Sequence, residues 1–271
     1  MKPHTLFDLS GEIAVVIGAT GVLGGALAEG LAAAGASVVV SGRNAERGEA
    51  RVAAIRSSGG HAIFLESDAG ARESLEMLLK KTVAELGAPT VLVNAAGGND
   101  PKVTVTAENP VESISTDDWT ENFALNVLGG ALIPCQVFGP AMVAKKKGSI
   151  INIASVSAHI PLSRVVSYSA AKAAALSLTQ FLAREWAPSG VRVNSITPGF
   201  FPAEQNRRLL YQEDGSPTAR AASILQHTPM GRFGQADELI GAAVFLASSE
   251  ASSFVTGTDI RVDGGFLSQT I

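Results

Sequence analysis

The chain has 271 residues, of which 46% are apolar and 17% charged, and its formal net charge is −4. That balance is too apolar for a disordered chain, and an acidic total with a pI near 5.6 argues against nucleic acid as the partner. The single cysteine, Cys135, excludes an internal disulfide, and four scattered histidines give no zinc spacing. The uncharged run from Ile13 to Ala28 falls short of the ~20 residues of a spanning helix and has acids before it, so a cytoplasmic protein without a membrane partner is expected.

Short β-branched runs alternate with longer helical stretches. Ile13–Ile17 reads as a strand buried on both faces. Val22–Ala34 reads as a helix with Val22, Ala26, Leu27, Leu31 and Ala34 on one stripe. Ser37–Val40 is a second strand, and Asn44 is placed to cap a helix running to about Ser57, ahead of Ser58-Gly59-Gly60. A strand at Ala62–Leu65, a helix over Glu73–Leu86 and a strand at Thr90–Val93 follow. Ser115-x-x-Asp118 has the form of a capping box before a long helix to about Ala144. Then come a strand at Ile150–Ile153, a helix over Tyr168–Ala187 stopped by Pro188, and a strand at Val191–Ile196. A helix over Asp237–Ala247 and a strand at Asp259–Val262 complete the series.

Continuous apolar strands alternating with helices predict an α/β fold. The expectation is a single Rossmann-like doubly wound domain over residues 1–271, with a seven-stranded parallel sheet flanked by helices on both faces. Gly97–Thr116 and Phe200–Gly234 are too long for simple connections. Both follow predicted strands, which places them at the carboxyl edge where α/β proteins bind ligands.

The first strand runs into Gly18-Ala19-Thr20-Gly21-Val22-Leu23-Gly24-Gly25. Backbone N–H groups at a helix start attract a pyrophosphate, and side chains there would block its approach. A tight turn without a ligand would use the same glycines. The spacing G-x-x-G-x-x-G has one residue more in the turn than the usual dinucleotide fingerprint. The second strand ends at Ser41-Gly42-Arg43-Asn44, and no acid stands between Glu29 and Glu46 to hold a ribose 2′-hydroxyl. Arg43 can face a 2′-phosphate instead, with Ser41 or Asn44 assisting, which favours NADP over NAD; a solvated surface arginine is the alternative.

Tyr168-x-x-x-Lys172 puts a phenol and an ammonium on one helix face. A positive charge about 5 Å from the phenol, at an effective dielectric of ~20, contributes roughly 3 kcal/mol, on the order of two pKa units. Tyr168 then suits proton exchange with a substrate oxygen. Ser155, thirteen residues upstream, can hydrogen-bond a carbonyl, and Asn126 lies within the preceding long helix.

Taken together, these residues resemble the short-chain dehydrogenase/reductase family. The resemblance runs over about residues 8 to 266, through Gly18–Gly24, Asp68, Asn94-Ala95-Ala96-Gly97, Asn126, Ser155, Tyr168-x-x-x-Lys172, Pro198-Gly199 and Asp263-Gly264-Gly265. It implies that Tyr168 is the catalytic acid/base and that Lys172 binds the nicotinamide ribose and lowers the Tyr168 pKa. Ser155 would orient the carbonyl, and Asn126 would hold a water behind Lys172. Asp68 with Ala69 would meet the adenine, and Asn94, Ala95, Ala96 and Gly97 would line the cofactor with Thr20, Val22 and Leu23. Ile196, Pro198, Gly199 and Phe201 would flank the nicotinamide. It also implies a homotetramer packed through the helices after Asp117 and Tyr168. Two departures stand out: Ala203 replaces a common threonine, and Val22 a common glycine.

The long loops resemble a narrower branch acting on D-mannonate and fructuronate, through Ala96-Gly97-Gly98-Asn99-x-Pro101-Lys102, Pro198–Arg207, Glu213–Ser216 and His227–Gly234. A sugar acid needs polar groups for its hydroxyls and a cation for its carboxylate. Asn99, Lys102, His159, Arg164, Gln205, Asn206, Arg207 and Arg208 are the candidates, His159 first, with a structural histidine as its alternative reading. Phe200, Phe201 and Tyr211 fit a lid core or an apolar substrate. The expected activity is NADP-dependent hydride transfer to or from a sugar-acid carbonyl. A 3-oxoacyl thioester reductase or general ketone reductase is the alternative enzyme, and a non-catalytic nucleotide sensor the alternative class.

Overall fold

The computed structural model describes residues 5–203 and 210–270. Its strands are β1 (Ile13–Ile17), β2 (Ser37–Gly42), β3 (His61–Glu66), β4 (Val91–Asn94), β5 (Gly148–Ile153), β6 (Val191–Pro198) and β7 (Asp259–Val262). They form one sheet in the order β3-β2-β1-β4-β5-β6-β7, and every pairing is parallel. The order reverses between β1 and β4, where a doubly wound sheet opens a crevice at its carboxyl edge.

The apolar runs are continuous because both faces are covered, and alternate residues serve opposite cores. Val16, Val38, Val40, Val91, Val93 and Ile151 pack with α1 (Val22–Ala33), α2 (Ala45–Ser57) and the last helix. Val15, Ile17, Val39, Leu92 and Ile150 pack on the other side against Leu75 and Leu78 of α3 (Arg72–Glu85), and against Phe138 and Met142. Asn44 caps α2 as expected, its Oδ1 accepting from the Arg47 N–H at 2.8 Å.

The sequence stripe on α1 proves too narrow. The helix buries Gly24, Gly25, Ala26, Leu27, Ala28, Gly30, Leu31 and Ala32, whereas Val22 is exposed. Small residues let neighbours close in on several sides. A Cβ on Gly30 would stand 2.4 Å from Ile240 Cγ2, and one on Gly25 would stand 2.5 Å from the Arg51 guanidinium.

The long helix, Thr116–Lys145, has three parts: α4 (Thr116–Ala124), a π-helical segment (Leu125–Leu132) and α5 (Ile133–Lys145). Ser115 caps it by accepting from the Asp117 and Asp118 N–H groups. It is long and apolar enough to cross a membrane by those criteria alone. Phe138, Cys135, Met142 and Ala131 are nevertheless wholly buried against the sheet and its helices, as in a core helix.

Helix α6 (Val166–Trp186) begins two residues before Tyr168. In the second long loop the sequence analysis misses a helix, α7 (Ala219–His227), which Thr218 caps by accepting from the Ala221 N–H. Ala221 and Ile224 form a small core with Leu210, bordered by Phe200, Tyr211 and Phe233, so Tyr211 is lid core. Phe201 belongs to the main core. Helix α8 (Ile240–Ala247) precedes β7.

Candidate active site

A cleft of about 520 Å³ lies along the carboxyl ends of the strands. The turn after β1 forms one wall through Gly18, Thr20, Gly21, Val22, Leu23 and Gly24; Arg43 follows β2, and Asp68 and Ala69 follow β3. Ala95, Ala96 and Gly97 follow β4, and Ser155, Tyr168 and Lys172 face Pro198, Gly199 and Phe201. Ala203 lines it as well.

The glycine turn is tight for reasons beyond ligand access. Gly18 has φ +87°, and a Cβ there would lie 2.7 Å from the Ala95–Ala96 backbone; one on Gly24 would lie 2.4 Å from the Gly18 carbonyl oxygen. Close packing of turn, helix and β4 therefore requires these two. Gly21 is the N-cap of α1, which has no side-chain cap and no acid in its first turn. Its free N–H groups suit an anion, so the turn fits a dinucleotide pyrophosphate.

Tyr168 and Lys172 share a face of α6, with the ammonium 5.6 Å from the tyrosine ring centre. Lys172 Nζ donates to the Ile153 carbonyl at 2.8 Å, and burial pulls its pKa down to about 8. Tyr168 is half-buried along the cleft. Burial raises its pKa, against the Ser155 hydroxyl, which lowers it. Desolvation, and not the expected lowering by Lys172, sets the direction of the phenol's shift. Ser155 Oγ also accepts from the Ser157 N–H at 3.2 Å.

Asn126 sits in the π-helical segment, fully buried. Its Nδ2 donates to the Asn122 and Gly98 carbonyls, and its Oδ1 accepts from the Gly98 N–H at 2.9 Å. A side chain inserted into the i→i−4 ladder is a recognised cause of such irregularity. Gly97, at φ +139°, fits between: a Cβ there would lie 2.5 Å from Asn126 Oδ1 and 3.5 Å from Lys172 Nζ.

Several expected contacts do not face the cleft. Ser41 is buried and bonds the Leu65 carbonyl and Ser67 Oγ; Asn44 is occupied as a helix cap. Asn94 is buried and donates to Asn152 Oδ1 at 2.8 Å, in the layer of Cys135, whose thiol pKa burial pushes up to about 12. Asn99 folds back on Thr104 Oγ1 at 2.6 Å, and Lys102 pairs with Asp118 at 3.3 Å. His159 is drawn to Thr197 Oγ1 and Asp259 Oδ2, each 3.2 Å from Nε2, contacts of the kind a structural histidine makes. Arg164 lies on an adjoining cavity. Gln205, Asn206, Arg207 and Arg208 lie outside the described residues. Sequence reasoning missed Arg220, which lines the cleft from the first turn of α7. The Thr218 cap ahead of Ala221 and Ile224 was the available signal. Among the described residues no cluster could hold a metal ion.

The reversal of strand order, the uncapped glycine turn beneath it and the meeting of Ser155, Tyr168 and Lys172 on one cleft define a nicotinamide-dependent oxidoreductase of Rossmann type. The chain belongs to the short-chain dehydrogenase/reductase family: the family described as Enoyl-(Acyl carrier protein) reductase matches residues 18–267. The uncharacterized oxidoreductase UxuB of Bacillus subtilis (strain 168) is 40% identical over 267 residues, covering 96% of each chain. A candidate D-mannonate oxidoreductase from Haemophilus influenza, solved with bound NAD, superposes with TM-score 0.91 at 36% identity, covering 97% of both chains. A gluconate 5-dehydrogenase from Burkholderia cenocepacia J2315, solved in complex with NADP and tartrate, gives TM-score 0.87 at 34% identity, covering 99% of this chain and 100% of that one.

Proposed function

We propose that this chain, acting as one domain, reduces the ketone of a sugar acid of the fructuronate or ketogluconate type and catalyses the reverse oxidation. The observation that carries the chemistry is the convergence of Ser155, Tyr168 and Lys172 on one cleft, with the Lys172 ammonium 5.6 Å from the phenol ring. Bound nicotinamide supplies the hydride-donating or hydride-accepting carbon. Ser155 donates a hydrogen bond to the substrate oxygen, and the Tyr168 hydroxyl passes its proton to that oxygen. The Lys172 ammonium stabilises the phenolate left behind. Asn126, beside Gly97 and Lys172, holds the water through which the proton is replaced. Val22, Leu23 and the uncapped α1 start seat the pyrophosphate, Asp68 and Ala69 the adenine, and Ala95 to Gly97 with Pro198, Gly199 and Phe201 the rest of the cofactor. NADP is favoured over NAD because Arg43 lines the cleft where no carboxylate ends β2. The substrate class is supported by the named relatives and by a cleft with cationic residues at its mouth. A homotetramer is supported by exposed Leu128 and Phe181 on the two helices expected to pack it.

The test is a reductase screen with fructuronate, 5-ketogluconate, acetoacetyl thioesters and simple ketones, repeated with Tyr168→Phe. Wild type reduces the sugar acids best, and the variant loses about 100-fold or more in kcat while still binding cofactor. Preference for the thioester overturns the substrate; a fully active variant overturns the mechanism.

A further inference from the structure

Two arginines stand where the cleft opens outward. Arg220 lines both the cleft and a second cavity of about 560 Å³, which Arg164 also borders. Leu162 and Phe200 belong to both spaces, so the second cavity continues the first past Ser155 and Tyr168. Arg164 is exposed and held at φ +76°, a left-handed conformation that residues with a Cβ seldom adopt. The Val105 N–H donates to its carbonyl at 2.9 Å, tying the first long loop to the segment between Ser155 and α6.

Neither guanidinium pairs with a carboxylate among the described residues, although Arg51 and Arg232 each do. The one side-chain hydrogen bond of Arg220 goes to Ser163 Oγ at 3.3 Å. The two cations also act on each other: Arg220 is pulled below its ordinary pKa by partial burial and then by Arg164. Glu108 lies close enough to feel the Arg164 charge but makes no ion pair with it; like charges held at one concave surface without a direct carboxylate partner make an anion seat, and guanidinium groups match a carboxylate in shape and donors.

We propose that Arg164 and Arg220 together receive the substrate carboxylate and so select a sugar acid over a neutral ketose. This assignment rests on the sugar-acid reading above and adds to it the receptor for the acid group. Ser163, Ser223 and His227, on the same cavity, face the remaining hydroxyls. The apolar Leu162 and Phe200 exclude water between the anion seat and the reacting carbon.

The test measures binding of D-gluconate, and of neutral sorbitol with the same chain length, to the enzyme saturated with NADPH, which cannot oxidise either, by titration calorimetry. Wild type binds gluconate about 10- to 100-fold more tightly than sorbitol. Arg164→Met/Arg220→Met abolishes that ratio and leaves sorbitol binding unchanged, while Arg220→Lys keeps part of it; far-UV circular dichroism reports that the variants fold. A preserved gluconate preference in the double variant overturns the receptor and leaves the sugar-acid reading standing. No preference in wild type removes both. Inorganic phosphate competing as well as gluconate overturns the carboxylate assignment in favour of a phosphate seat.

Discussion

The Lys172 ammonium lies 5.6 Å from the centre of the Tyr168 ring but gives its hydrogen bond to the Ile153 carbonyl at 2.8 Å. The lysine is therefore a buried charge beside the phenol, fixed by the strand carrying Ser155 at its end. Burial lowers its pKa from 10.5 to about 8, so between these values the unfolded chain holds more proton than the native one. Stability from this group accordingly rises with pH across that window and is lowest below it. The unfolding free energy of wild type minus that of Lys172→Met should climb between pH 8 and 10.5, by on the order of 3 kcal/mol. Urea titrations of the cofactor-free proteins read this directly; a pH-independent difference means that the ammonium is not desolvated. Activity of Lys172→Met should be lost at every pH.

Tyr168 shifts the other way. Burial holds its pKa above the ordinary 10.0, with the Ser155 hydroxyl only partly opposing. Before cofactor binds, the phenol is protonated at neutral pH, ready to give a proton and unable to accept one. For ketone reduction, kcat/KM should stay flat between about pH 6 and 8, whereas for alcohol oxidation it should rise with pH over the same range. Positive charge on an oxidised nicotinamide favours the phenolate and moves the oxidative rise to lower pH. Parallel profiles in the two directions would remove Tyr168 from the proton step.

The strands, the glycine turn and the Ser155, Tyr168 and Lys172 trio were legible because each rests on local spacing. Apolar runs bracketed by turns mark strands, and residues four apart share a helix face. The misplaced residues depend on direction at the end of a strand. Ser41 and Asn94 continue the alternation of Val39 and Leu92 into the α3–α5–α6 side of the sheet, where they bond other side chains rather than a ligand. Period two applied through the last strand residue would have turned them inward. His159 could not be placed from sequence, since Asp259 is one hundred residues away and meets it only through the β6–β7 pairing. Helix α7 was hidden by length: nine residues stand on a cap and a three-residue core, too little for a periodic signal.

Arg43 follows β2 and lines the cleft, with no acid at that strand's end. Replacing it removes a charge-assisted contact available to a 2′-phosphate and absent from a 2′-hydroxyl. Wild type should show higher kcat/KM with NADPH than with NADH. Arg43→Ala should lower the NADPH value about 10- to 100-fold through KM, with the NADH value nearly unchanged. An NADH preference in wild type would overturn the cofactor assignment, and equal losses with both cofactors would make Arg43 a general surface charge.

Asp259 ties His159 to β6. Its Oδ1 accepts from Ser195 Oγ at 2.6 Å and from Thr197 Oγ1 at 2.9 Å, and His159 Nε2 stands 3.2 Å from Oδ2. Oδ2 is buried and makes no hydrogen bond among the described residues, so the imidazole at 3.2 Å is its close polar neighbour. The 3-10 turn Val156–Ala158 lies between Ser155 and His159. Anchoring its far end to β7 fixes the loop that presents the Ser155 hydroxyl to Tyr168. His159→Ala removes the close polar neighbour of a buried carboxylate oxygen, which costs about 1–3 kcal/mol of stability. It should also lower kcat more than it raises KM, because the loop is loosened while the cavity beside Arg164 is left in place. Asp259→Asn retains an acceptor for Thr197 or Ser195 and should fall between wild type and His159→Ala in both melting temperature and kcat. Unchanged kcat in His159→Ala, with only the melting temperature reduced, would confine the pair to holding β6 and β7 together.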